Sequence, residues 1–297
     1  MDYVDFKRDL LIRSLERFGD QYEIKYKKYR KVNEEVERLG FRGKNQPGER
    51  RVEALIDPYG LYTFFLQADC TGWDMVLEEI NSAIVRNDLQ NEMPTKGFVE
   101  KNVVIQLIQI QGNEELLENC PYKSWLNLAY VMRVVWNYGP GIASILVNHG
   151  LITALNLNPK DLFRIAEVNI TSKFGLPTFF NLENYLRSQV KGAYNLQDID
   201  SGLYVLSTDK GQYGASLMGN ARLMKSIQRK LGANFYILPS STHEVLILPE
   251  LEDYPADVAE LQKLVRYMNH LSGCIPKEDF LSDSVYEFDG DKVKIVE

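Results

Sequence analysis

Cysteine is scarce in this 297-residue chain: Cys70, Cys120 and Cys274 stand far apart and none forms a CxxC pair. The odd count and wide spacing argue against both a disulfide framework and a zinc site. They point to reduced thiols in a cytoplasmic protein. Histidine is as rare, with only His149, His243 and His270, so a histidine-rich metal centre is not expected. No GxGxxG follows a strand, and there is no P-loop and no GxSxG elbow. His243-Glu244 lacks the second histidine of a zincin motif, because the fourth residue after His243 is Ile247. No cofactor and no metal are therefore expected. Long apolar runs are missing too. The most apolar windows, Gly141–Leu155 and Val103–Ile110, are broken by polar residues or too short to span a bilayer, so no membrane partner is expected. The opening MDYVDFKRDLL has acids where a signal peptide needs a basic region.

What is present is an ordinary globular composition, 45% apolar and 25% charged, with a net charge of −7. The charge is uneven. Ten basic and five acidic residues lie between Gln21 and Arg51, and the remainder carries −12. A mostly acidic surface repels a phosphate backbone, so nucleic acid is an unlikely partner. The segment Tyr22–Lys31 interleaves tyrosine with lysine and can be read as an RNA or single-stranded DNA contact, or as a solvated strand face.

Periodicity predicts a mixed chain. A helix is expected over Asp2–Phe18, with Val4, Leu11, Leu15 and Phe18 on one face. The segment Tyr22–Lys31 alternates as a strand, Gly40–Gly48 reads as a loop, and Asp57-Pro58-Tyr59-Gly60 reads as a turn. Thr71 to Asp74 has the form of a capping box. Strands are predicted at Val103–Gln111 and Leu126–Trp136, with Ile142–Val147 as the partner of the latter. Asn158-Pro159 starts a helix, Asn as cap and Pro at the first position. Leu203–Ser207 and Tyr213–Leu217 flank Asp209-Lys-Gly211 as a hairpin. Further strands fall at Asn234–Leu238 and Glu244–Leu248, and a last hairpin at Val285–Val296. Tight turns between strand pairs favour α+β, with mixed, largely antiparallel sheets and packed helices, over a doubly wound fold. The chain reads as a single integrated domain, 1–297, with a soft boundary near 194–202.

One dense polar cluster lies between two apolar strands: Ser240, Ser241, Thr242, His243 and Glu244. Hydroxyls beside an imidazole and a carboxylate offer a nucleophile and its base. Immediate neighbours seldom hold triad geometry, however, and the same hydroxyls serve a turn's backbone equally well. Asn169, on the apolar face of its helix, is either a ligand-binding amide or one bonded to nearby backbone.

The run Asn234-Phe-Tyr-Ile-Leu-Pro-Ser-Ser-Thr-His-Glu-Val-Leu-Ile-Leu-Pro249 resembles the signature of a bacterial domain-of-unknown-function family, numbered fifty-six eighty-eight and found in Gram-positive gut bacteria. Gly214-Ala-Ser, the stretch from Gly112-Asn-Glu-Glu through Cys120-Pro-Tyr to Leu126-Asn-Leu-Ala, and Leu162 through Asn169 resemble further parts of it. Two positions depart from the family pattern: Tyr122 stands where a histidine is expected, and Asn127 where an aspartate is expected. The resemblance implies no established activity. Three functions follow from the residues: a non-enzymatic binding or regulatory protein, with a protein among its candidate partners; a hydrolase or transferase using Ser240 or Ser241 with His243; and a nucleic-acid partner through residues 21–51. The first fits the missing catalytic motifs best.

Overall fold

The computed structural model describes residues 1–44, 53–67, 72–90, 94–138, 141–183, 202–251, 256–271 and 275–296. Contacts divide the chain into two compact units, Met1–Met93 and Pro94–Glu297, where the sequence suggests one integrated domain. The seam expected near 194–202 falls on residues outside those described, Gly202 excepted. So do Cys70, Cys274 and the Thr71 of the expected capping box.

In the first unit, Asp2 caps helix α1 (Tyr3–Phe18) by accepting the Asp5 N–H at 2.9 Å. Strands β1 (Tyr22–Lys31), β2 (Glu34–Gly43) and β3 (Glu53–Ile56) form an antiparallel sheet in that order. Helices α2 (Pro58–Gln67) and α3 (Gly72–Gln90) complete the unit. The core joins Phe6 and Leu10 of α1, Leu39 and Phe41 of β2, and Val76 and Ile80 of α3. Three expectations are corrected here. The buried stripe of α1 is Phe6, Leu10, Ser14 and Phe18, while Val4 is 74% exposed and Leu15 46%. Residues 40–43 continue a strand rather than starting a loop, because Leu39 and Phe41 both enter the core. Pro58 opens α2 where a turn was expected, its fixed φ suiting a helix's first turn.

The second unit holds two antiparallel sheets. Helix α4 (Lys96–Asn102) leads into β4 (Val103–Gln109), buried from Val103 to Ile108, followed by α5 (Glu114–Glu118), β5 (Tyr122–Trp125), β6 (Leu128–Tyr138) and β7 (Gly141–Leu146). β6 pairs with β4, β5 and β7. Helices α6 (His149–Ala154) and α7 (Pro159–Phe174) come next. Asn158 caps α7 through the Lys160 and Asp161 N–H groups, as its position predicts. The larger sheet follows: β8 (Pro177–Asn181), β9 (Tyr204–Thr208), β10 (Phe235–Pro239), β11 (Val245–Pro249), β12 (Val285–Phe288) and β13 (Val293–Val296), in the order β13-β12-β10-β11-β9-β8. Helix α8 (Ala221–Leu231) precedes β10, and α9 (Val258–His270) precedes β12. One core draws on both sheets and on α7, with Leu107, Met132, Phe163, Ile237, Ile247 and Phe288 among its residues. The α+β expectation holds.

The hairpin expected across Asp209–Gly211 does not form. β9 is as read, but Gly214–Gly219 is a buried 3-10 helix. Tyr213 enters it in the left-handed region, at φ 53°. A Cβ on Gly214 would lie 2.5 Å from both the His243 carbonyl oxygen and Ser207 Cα. Only glycine permits that approach. Long-range packing, not local alternation, sets this segment.

Candidate functional site

The Ser-Ser-Thr-His-Glu cluster is the loop of the β10–β11 hairpin, closed by the pairing of Pro239 with Val245. Apolar residues flanking it in sequence form adjacent strands, so the polar residues are carried to their end. Within the loop, Ser241 Oγ accepts the His243 N–H at 3.1 Å, and the Ser241 N–H donates to the Glu244 carbonyl at 3.1 Å. Ser240 Oγ donates to Glu244 Oε1 at 3.4 Å. These are the local bonds by which serine stabilises turns.

The imidazole bonds outward. His243 Nδ1 accepts the Tyr213 N–H at 3.1 Å, and Nε2 lies 3.0 Å from Asp279 Oδ1. A backbone N–H requires a lone pair on Nδ1, so the proton sits on Nε2 and is donated to the carboxylate. The His243 carbonyl accepts twice, from the Gly214 N–H at 2.9 Å and Ser207 Oγ at 2.8 Å. The Thr242 N–H donates to the Asp279 carbonyl at 2.7 Å. One residue thereby joins the start of the 3-10 helix, strand β9 and the segment around Asp279. Neither serine hydroxyl bonds to the ring: the geometry gathers Ser240, Ser241, His243 and Glu244 in one loop without linking a nucleophile to a base.

Asn169 lies elsewhere. Its amide donates to the Glu100 and Val103 carbonyls at 2.9 and 2.8 Å, tying α7 to the α4–β4 junction. On the basic strand, Lys25 pairs with Glu23, Lys27 with Glu53 and Lys28 with Glu35. Three lysines of the strand are thus paired with carboxylates, although Glu23 and Glu35 are already counted in the local excess. Cys120 is buried, and burial pushes its thiol up to about 11, away from the reactive thiolate.

A second site has no counterpart in the sequence reading. A cleft of about 970 Å³, lined by both polar and apolar side chains, opens between the end of β4, the α9 face and the segment leading to β12. Its chain segments, 109–114, Asn127, 262–270, 280–284 and 295–296, are far apart in sequence. At its wall the buried Tyr286 hydroxyl donates to Asn127 Oδ1 at 2.6 Å and lies 3.1 Å from Ser282 Oγ. Asn127 Nδ2 donates to Ser284 Oγ at 2.9 Å. Desolvation holds the Tyr286 phenol up at about 12, against the hydrogen bonds, which lower it. Beside this network, Asp283 accepts from Asn269 Nδ2 at 3.1 Å and from His270 Nε2 at 2.8 Å. Asp279, the carboxylate that holds His243, stands just before the lining residues Phe280 and Ser282. The one local hint was Ser282-Asp283-Ser284, a polar run before an apolar strand like the run before β11.

The fold is α+β, with antiparallel sheets and a surface cleft, and among the described residues no helix is long and apolar enough to cross a membrane. The chain belongs to a family of unknown function (DUF5688), whose model matches residues 3–290. None of the curated proteins and none of the solved structures compared with the chain matches it. Of the two positions that depart from the family pattern, Tyr122 is exposed on β5, while Asn127 lines the cleft.

Proposed function

We propose that this protein is a non-enzymatic binding protein, cytoplasmic and bacterial, whose ligand enters the cleft beside Asn127, Arg266 and Asp283. The observation that carries the reading is the use of both His243 ring nitrogens in bonds to Tyr213 and Asp279. A general base needs a free nitrogen within reach of its nucleophile, and this ring is occupied. Its bonds instead brace the segment that lines the cleft, so the conspicuous loop supports the binding surface. The buried free thiol of Cys120 fits a reducing compartment, and the −12 carried outside residues 21–51 favours a partner other than nucleic acid.

The test is labelling of the native chain with a serine-reactive fluorophosphonate. The expected result is no adduct at Ser240 or Ser241. An adduct that forms in the native chain and vanishes in His243→Ala would establish a Ser/His pair and overturn the reading.

A further inference from the structure

Charge inventory narrows what the cleft can hold. Its two acids are both engaged. Asp283 is held by His270 and Asn269, and Glu114 Oε1 accepts the Gly112 N–H at 3.0 Å. His270 Nε2 is committed to Asp283. Arg266 is the remaining charged group, and among the described residues it makes no hydrogen bond or ion pair. The rest of the lining is neutral: apolar side chains such as Phe280 and Ile295, and the bifunctional side chains of Gln111, Asn127, Gln262, Ser282 and Ser284, of which the last four also bond within the chain.

Resting on the binding reading above, we infer that the cleft takes a monocarboxylate with a neutral, hydrogen-bonding body, its carboxylate placed on Arg266. A guanidinium presents a planar fork of donors that a carboxylate matches with two parallel bonds. Amides and hydroxyls both donate and accept, which suits a body built of hydroxyls or amides. Asp283 and Glu114 keep their hydrogen bonds within the chain, which leaves Arg266 as the one cation to pair with a single carboxylate. A phosphate ester carries about −1.5 to −2 at neutral pH; its second charge faces Asp283 and Glu114 without a counter-ion.

The experiment follows side-chain amide resonances of Asn127 and Gln262 in the full chain during titration. The carboxylate probes are gluconate and acetyl-diglycine. The controls are glucose, acetyl-diglycine amide and glucose 6-phosphate. The expected result is saturable shifts with the carboxylates, weakened about tenfold or more in Arg266→Gln, the weight of a charge-assisted bond. Arg266→Lys should fall between. Arg266 is exposed, so neither variant threatens folding. If glucose or glucose 6-phosphate shifts the same resonances as strongly, or Arg266→Gln leaves the affinity unchanged, the cleft binds but the ligand class is wrong. If no probe of any charge moves them, the binding reading falls with it.

Discussion

The β10–β11 loop and the cleft differ in what their polar groups have left to offer. In the loop, both His243 ring nitrogens, the His243 carbonyl and both serine hydroxyls have partners within the chain. In the cleft, Asn127, Gln262, Ser282 and Ser284 also bond within the chain, but Arg266 has no partner among the described residues. A group that satisfies its neighbours has little valence for a substrate. The contrast separates a brace from a binding surface more surely than residue type does, since the loop contains every residue type a hydrolase would use.

The comparison is broken most easily at Gly214. A methyl group there collides with backbone on two sides, so Gly214→Ala should cost about 3 kcal/mol, or prevent folding, by overpacking. The denaturation midpoint reports it, and an unchanged value would mean that the 3-10 helix does not sit against His243. His243→Ala should cost about 2 kcal/mol, because it strands the Tyr213 N–H and the Asp279 carboxylate in a half-buried place. Loss of stability without any change in chemistry would sharpen the distinction; full stability would remove it.

Tyr286→Phe should cost about 1 kcal/mol, since Asn127 and Ser282 lose a buried partner. The wild-type chain adds a pH signature here. Burial raises the Tyr286 phenol to about 12 and raises those of Tyr26 and Tyr130 as well. A raised folded pKa means that the native state holds the proton more tightly than the unfolded chain does. That stability is complete below pH about 10, the unfolded value, and is lost as pH rises through the folded value. Midpoints measured from pH 9 to 12 should fall, and less steeply in Tyr286→Phe. A flat profile would contradict the buried network. At the far end of the scale, Arg266→Gln should leave the midpoint within about 0.5 kcal/mol, as exposed substitutions do. A larger loss would make Arg266 part of the scaffold.

Much of the fold was legible because its signals are local. Asn158 caps α7 from the positions expected, and the run 234–249 forms two strands around a polar loop. The face of α1 was not legible. Val4, Leu11, Leu15 and Phe18 make as good a stripe as Phe6, Leu10, Ser14 and Phe18, and the choice is made by distant partners such as Trp73, against which Phe6 stacks at 5.1 Å. The alternation of Tyr213–Leu217 misled for the same reason, because His243 and Ser207 dictate that backbone from outside. The loop residues were found as a cluster since they adjoin in sequence, but their bonds to Tyr213 and Asp279 could not be read there. The cleft was invisible because its lining is drawn from five separate stretches.

The most direct test of the account is the tautomer of His243, read from the nitrogen shifts of its imidazole ring in the native protein at neutral pH. The structure requires a single form, with the proton on Nε2 and Nδ1 held as an acceptor by the Tyr213 N–H. Nitrogen signals of that form, unchanged in Ser240→Ala and Ser241→Ala, would confirm that the ring is a brace. A proton on Nδ1, or a mixture of forms that responds to removing either serine, would contradict it and return the ring to catalysis.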